Sequence, residues 1–263
     1  MWREHYKFHW KEVHSTLVLI SLNDSDALVF FPPIGSNSVE ILNDVLKITR
    51  DLGIAIELHR VPDTLKEQIS ISGIICEIRE DRDNWDYVYR REDLAQFAGK
   101  RYQNVRKKLN KFKNRYNWAY RPIDADLIQS LLHMQEEWCD FRSCEDDVSL
   151  DQENAGILEL FERWDTLHLQ GGAVFVDEKL VAYTIAEPLN PTTIVIHIEK
   201  GNSEFVGVYQ ILAQQFSASL EHMGESYVFI NREQDLGKPN LRKSKQNYHP
   251  IHYVQKSKIT FPS

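Results

Sequence analysis

The chain has 263 residues, enough for one large domain or two ordinary ones, and its 42% hydrophobic and 27% charged composition excludes an intrinsically disordered chain. No apolar run approaches the roughly 18 residues that a membrane-spanning helix needs. The net charge of -8 argues against indiscriminate nucleic-acid binding, DNA included.

The charge is unevenly placed. Between Arg90 and Arg121 there are 11 Lys/Arg against two acids, and between Asp124 and Asp165 there are 13 acids against two bases. Two solvated helical faces that attract each other would explain this, and so would a basic surface for a polyanion such as tRNA. The three cysteines (Cys76, Cys139 and Cys144) make a poor disulfide framework and contain no C-x-x-C pair, so neither a bridge nor a zinc site is expected. With no signal-peptide pattern at Met1–His5, the expected location is the cytoplasm.

In chain order, Trp2–Trp10 reads as a short helix and Thr16–Leu22 as a strand. Asn23-Asp24-Ser25-Asp26 gives turn chemistry before a returning strand at Leu28–Phe31. Pro32-Pro33 breaks it, and Ser36 or Asn37 caps a helix carrying Val39, Leu42, Val45, Leu46 and Ile48. A strand at Ile54–Leu58, a helix at Pro62–Ile69 and a strand at Trp85–Tyr89 follow. Leu94, Phe97, Tyr102, Val105, Leu109, Phe112 and Tyr116 then share one helical stripe, which Gly99 divides.

The second half begins with a strand at Trp118–Pro122 and helices at Asp124–Phe141 and Asp151–His168. A hairpin (Ala173–Val176 and Leu180–Glu187), a strand at Thr193–Glu199 and a helix at Gly207–His222 come next. A strand at Tyr227–Asn231, a short helix at Asn240–Tyr248 and a last strand at Ile251–Gln255 complete it. The order β-α-α-β-β-β-α-β-α-β is that of the acetyltransferase-type (GNAT) α/β fold, and the first half repeats its later part. The expected organisation is therefore an α/β tandem GNAT-like chain: an N-terminal domain over 1–98, a basic connecting helix over 99–116 and a C-terminal domain over 117–263.

Two groups of residues carry a family resemblance. One is Arg90-Arg91-Glu92-Asp93-Leu94 with Gly99-Lys100-Arg101-Tyr102, Arg106 and Asn110-Lys111-Phe112. The other is Ile196–Asn202, Gly207–Gln210, Asn231-Arg232-Glu233-Gln234-Asp235-Leu236-Gly237 and Leu241–Lys245. Over roughly residues 1–255 the chain resembles the bacterial DUF2156 family, similar to the C-terminal domain of phosphatidylglycerol lysyltransferase. The resemblance implies a fold shared with Fem-type aminoacyl transferases and transfer of an aminoacyl group from aminoacyl-tRNA. Family members carry additional residues before the segment that here contains Trp2-Arg3 and Tyr6-Lys7, so the N-terminal domain reads as shortened. They also carry Asn after the arginine that is Arg106 here, where this chain has Lys107.

The chemistry concentrates at strand ends, where ligands of open α/β sheets gather. Strand alternation puts His197 and Glu199 on one face, where either can take a proton from an attacking amine; the other reading is a buried hydrogen bond to the neighbouring strand, which His197 suits more than Glu199. Asn231-Arg232-Glu233-Gln234-Asp235 leaves the next strand. The catalytic candidates are thus Glu199, His197 and Asp235, and the substrate-binding candidates are Lys200, Asn202, Asn231, Arg232, Glu233 and Tyr209. Lys100, Arg101, Arg106 and Lys107, with Arg242, Lys243 and Lys245, are candidates for holding a polyanionic donor. An acyl-CoA donor calls for a Gln/Arg-x-x-Gly-x-Gly/Ala loop that cradles pyrophosphate at a helix start. The corresponding stretch is Glu204-Phe205-Val206-Gly207-Val208-Tyr209, in which only Gly207 fits.

These features suggest an acyl or aminoacyl transferase acting on an amine or hydroxyl of a small-molecule or lipid acceptor. The alternatives are an acetyl-CoA N-acetyltransferase and a non-catalytic ligand-sensing or partner-binding module.

Overall fold

A computed structural model describes residues 8–22, 28–36, 38–54, 56–221 and 227–262, and within it the chain divides into two compact units. Of the described residues, those up to Trp85 and those from Val254 onward make the first, and those between Asp86 and Tyr253 make the second.

In the first unit the strands are β1 (His9–Val13), β2 (Thr16–Leu22), β3 (Leu28–Phe30), β4 (Ile56–Pro62), β5 (Glu77–Glu80) and, from the far end of the chain, β13 (Lys256–Phe261). Helices α1 (Ser38–Asp51) and α2 (Asp63–Ile71) complete it. The sheet order is β1-β2-β3-β4-β13-β5, with only β3 and β4 parallel. α1 makes that crossover and buries Ile41, Leu42 and Leu46. His9 and Trp10 lie in a strand paired with Ile20 and Leu19, not in a helix. Phe8 is not helical either, and residues 2–7 of the expected Trp2–Trp10 helix, the Asn23–Asp26 turn and Asn37 lie outside the described residues.

The second unit contains β6 (Asp86–Arg90), α3 (Arg91–Gln96), α4 (Gln103–Arg115), β7 (Trp118–Pro122), α5 (Ile128–Arg142) and α6 (Val148–Glu162). It continues through β8 (Gln170–Val176), β9 (Lys179–Asn190), β10 (Thr193–Gly201), α7 (Val208–Ser219), β11 (Phe229–Asn231), α8 (Pro239–Gln246) and β12 (His252–Val254). The sheet order is β12-β6-β11-β10-β9-β8-β7. β10 and β11 are parallel neighbours joined through α7, and their C-terminal ends carry the polar residues singled out above.

The boundary at 98/99 is therefore corrected to 85/86. Ile230 of β11 pairs with Tyr89 of β6, so the strand before α3 belongs to the second sheet. α4 is no free connector either. Its Val105, Leu109 and Phe112, spaced for one helical face, enter the same core as Val208, Ile211 and Leu212 of α7, and Lys113 Nζ donates to Gln214 Oε1 at 2.7 Å.

Cys139 and Cys144 form a disulfide, contrary to the expectation of unpaired thiols. α5 ends at Ser143, whose φ of 49° turns the chain back and brings the two Cα atoms to 5.0 Å. Cys76 is free.

Candidate functional site

β10 brings three functional side chains to the centre of the second sheet, but not by simple alternation. Its register against β9 slips between Ile196 and Ile198. Ile196 packs in the cluster that holds Tyr89 and Tyr248, whereas Ile198 packs in the one that holds Tyr183. The bulge breaks the alternation that was to place His197 and Glu199 on one face. The two residues enter separate ion pairs.

Glu199 accepts from Arg232, with Oε2 2.9 Å from Nε and 2.5 Å from Nη2. The guanidinium lies 4.5 Å from the Tyr248 ring centroid and 5.6 Å from that of Tyr89. Burial works against its charge, but the Glu199 carboxylate outweighs this and holds its pKa above the ordinary arginine value. Among the described residues, the buried Arg232 Nη1 has no hydrogen-bond partner.

His197 sits between two carboxylates: Nδ1 is 2.7 Å from Glu233 Oε1 and Nε2 is 2.9 Å from Glu187 Oε1. Burial disfavours the imidazolium, yet these two acceptors prevail and raise its pKa. With both ring nitrogens facing carboxylate oxygens, the surroundings favour the imidazolium, which donates from both nitrogens and has no lone pair to offer as a base.

Asp235, expected as a catalytic carboxylate, is fully buried and saturated. Tyr87 Oη donates to Oδ2 at 2.5 Å, Arg242 Nε to Oδ2 at 2.9 Å, Arg242 Nη2 to Oδ1 at 2.8 Å and the Gly237 N–H to Oδ1 at 2.9 Å. Desolvation opposes ionisation, but Arg242, Tyr87 and Gly237 outweigh it and hold the carboxyl at about 2. Asp235 and Arg242 are thus one anchor for the loop after β11, not a base and a polyanion contact.

Asn231 serves the same loop: its Oδ1 accepts from the Glu233 N–H at 2.7 Å, fixing the turn in which Glu233 adopts a φ of 52°, and its Nδ2 donates to Asp86. Lys245 also turns inward, donating to the Arg232 carbonyl; burial and the charge of Arg232 lower its pKa to about 8. Lys200 is buried against Glu153 Oε2 at 2.5 Å, with its ammonium 3.7 Å from the Trp138 ring centroid.

The remaining basic candidates separate into two kinds. Arg106 donates to the Phe97 and Gly99 carbonyls and so caps α3. Arg101 pairs with Asp93 at 2.8 Å, and Lys100 stays exposed in the turn before α4. By contrast, Lys107, Lys108 and Lys111 of α4 and Lys243 of α8 are exposed and line one groove of about 800 Å³, with Arg101 at its edge and no acid in its lining. Gln210 and Tyr248 also line this groove, and Gln210 Nε2 donates to Tyr248 Oη at 3.0 Å. Tyr248 is the ring stacked on Arg232, so a short relay leads from the groove to the Arg232–Glu199 pair.

A second opening of about 240 Å³ lies between the end of α5, the start of β9 and the start of α7. Asn202 and Tyr209 reach it. Asn202 Oδ1 accepts from the Glu204 N–H at 2.9 Å, and Tyr209 Oη donates to the Gly201 carbonyl at 3.1 Å. Burial, and next the Glu199 charge, raise the Tyr209 pKa, so the phenol is a neutral proton donor near pH 7.

Gly207, the one residue at the start of α7 that fits the acyl-CoA loop pattern, has a different structural reason to be glycine. Gly207 has a φ of 99°, and a Cβ there would collide with the Lys108 carbonyl oxygen and lie 2.9 Å from Phe112 Cβ. The glycine admits the close approach of the α4 backbone to the start of α7.

Over residues 1–259 the chain matches the family described as phosphatidylglycerol lysyltransferase, C-terminal. A conserved protein of unknown function from Bacteroides thetaiotaomicron shares 28% identity at a TM-score of 0.89, over 99% of this chain and 88% of that one. The C-terminal DUF2156 domain of a putative lysylphosphatidylglycerol synthetase from Agrobacterium fabrum gives 12% identity and a TM-score of 0.71, over 97% and 84%. A tandem GNAT protein from the clavulanic acid biosynthesis pathway shares the fold at 8% identity and a TM-score of 0.51, over 94% and 80%. No protein of curated function matches the chain. The chain belongs to the phosphatidylglycerol lysyltransferase C-terminal family and has its tandem GNAT-like fold.

Proposed function

We propose that this chain is an acyltransferase-type domain that moves an aminoacyl, or another acyl, group from a polyanionic donor to an amine or hydroxyl acceptor. One observation carries the reading: the acid-free groove of Lys107, Lys108, Lys111 and Lys243 shares Tyr248 with the buried Arg232–Glu199 pair. The lysines neutralise donor phosphates. Arg232, locked by Glu199, brings a fixed positive charge close to where an ester oxygen develops negative charge. As the acceptor attacks and the ester C–O bond breaks, Tyr209, a neutral phenol beside Glu199, gives its proton to the leaving oxygen and takes up the one released by the attacking amine or hydroxyl. Aminoacyl-tRNA has the polyanion that this groove suits. Gly207, the one match to the acyl-CoA loop pattern, is accounted for by the approach of α4, which disfavours acetyl-CoA.

The test is equilibrium binding of aminoacyl-tRNA followed by transfer to amine and hydroxyl acceptors. With three to four phosphate contacts, log K should fall against log salt with a slope of about -3. A Lys107→Glu/Lys111→Glu variant should flatten that slope and weaken binding at least tenfold. Binding that is salt-independent, or untouched by the double variant, removes the donor assignment.

A second reading, a non-catalytic ligand-binding module, has its own support: His197, Glu199 and Asp235 are each engaged by an internal partner. Tyr209→Phe separates the two readings. It abolishes transfer while donor binding persists if the site is catalytic, and there is no turnover to lose if it is not.

A further inference from the structure

The 240 Å³ opening at the end of α5 has a character different from that of the lysine groove. Its walls are apolar and aromatic (Met134, Trp138, Phe141 and Leu180), with Asn202 and Ser203 at one side. Three cations stand in or beside it, and two are neutralised: Lys179 pairs with Glu137 at 2.9 Å and Lys200 with Glu153 at 2.5 Å. The third, Arg142, lies 5.7 Å from the Trp138 ring centroid and pairs with no carboxylate among the described residues. Its charge is felt inside: burial is the first cause that lowers the Lys200 pKa, and Arg142 and Lys238 act in the same direction against Glu153. The wall itself is fastened, because the Cys139–Cys144 disulfide ties down the last turn of α5, which carries Trp138, Phe141 and Arg142.

An apolar cleft with one uncompensated cation at its mouth complements a molecule with an apolar body and a single negative end. At about 30 Å³ per water, the opening replaces roughly eight waters, which suits a ligand of about ten non-hydrogen atoms. We propose that this pocket binds a small amphiphilic carboxylate, its apolar body against Trp138 and Phe141 and its carboxylate on Arg142. A planar guanidinium meets a carboxylate through two parallel hydrogen bonds, which a lysine does not offer. The inference does not depend on the transferase reading, because binding is read without turnover.

The experiment is calorimetric titration of the full chain with octanoate and hydrocinnamate, with octanol and octylamine as controls. Both carboxylates should saturate one site below about 1 mM, and octylamine should bind at least about tenfold more weakly. Arg142→Gln, an exposed position outside the core, should weaken octanoate at least fivefold and leave octanol unchanged. Trp138→Ala should weaken octanoate and octanol together. Three results overturn the proposal: no saturation by either carboxylate, equal affinity for octylamine, or octanoate binding indifferent to Arg142→Gln. Retention of the chain on phosphatidylglycerol vesicles without any response to octanoate also overturns it, in favour of a bilayer lipid.

Discussion

Replacing Asp235 by Asn decides whether this carboxylate is an anchor or a catalyst. The side chain is 0% exposed and receives four hydrogen bonds, and its pKa is held at about 2 against an ordinary 3.8. A gap of about two pKa units, at 1.36 kcal/mol each, makes ionised Asp235 worth roughly 2.5 kcal/mol of stability near neutral pH. The native value is depressed, so this contribution is complete above the unfolded pKa and disappears as pH falls through the native one. The same relation removes roughly 1 kcal/mol of it by about pH 3. Asp235→Asn keeps the shape but loses the charge, and its amide turns a donor towards Arg242 or Tyr87. Urea unfolding near pH 7 should therefore show at least about 2.5 kcal/mol of destabilisation, and the gap to the wild type should narrow towards pH 3. A loss below about 1 kcal/mol near neutral pH, or a gap indifferent to pH, would refute the anchor reasoning and return Asp235 to the catalytic candidates.

Gly207→Ala should cost about 2–4 kcal/mol, from the positive φ and the collision with Lys108, and thermal unfolding will measure it. Arg232→Met strands a buried Glu199 and should cost about 3–5 kcal/mol, whereas the pair Arg232→Met/Glu199→Leu should recover much of the loss; a double-mutant cycle reads the difference. The raised pKa of His197 gives stability that is fully present below its unfolded value and is lost as pH rises through the native one. The wild type should therefore exceed His197→Gln by more near pH 6 than near pH 9 in denaturant titrations.

Much of the fold was readable because the periodicities are clean. Thr16–Leu22 and Trp118–Pro122 appear with the expected bounds, and the Val105, Leu109 and Phe112 stripe is the buried face of α4. The failures have physical causes. β5 is an edge strand exposed at every residue, so no apolar pattern announces it. β13 alternates, burying Ser257, Ile259 and Phe261, but the elements read from the sequence end at Gln255, and the insertion of β13 between β4 and β5 is a long-range event. At the site, residue type and strand-end position correctly brought β10 and the loop after β11 together, through the His197–Glu233 and Glu199–Arg232 contacts. Spacing gave no warning of the β10 bulge, nor that Tyr248 and Gln210 would matter, since these two meet only in three dimensions; Arg142 sits one turn from Trp138, but that it lines an opening without a carboxylate partner is not written in the spacing.

The distribution of charge partners explains why the obvious acids and bases are poor candidates for free reagents. Glu199 with Arg232, Asp235 with Arg242, and His197 with Glu187 and Glu233 are buried or half-buried groups that satisfy one another. Removing a partner from such a pair costs several kcal/mol, so a ligand that borrowed one would first have to replace its bonds. A neutral phenol, held by a single hydrogen bond to the Gly201 carbonyl, can exchange that bond for a substrate oxygen at far lower cost. Among the described residues, several exposed cations have no carboxylate partner: Lys107, Lys108, Lys111 and Lys243 in one groove, and Arg142 at the other opening. Paired charges in this unit therefore fix the loop and the relay, and the exposed unpaired ones are where the two proposals place incoming anions. On that division, the transferase reading proposed above assigns the chemistry to Tyr209 and to the immobilised positive charge of Arg232, not to a carboxylate base.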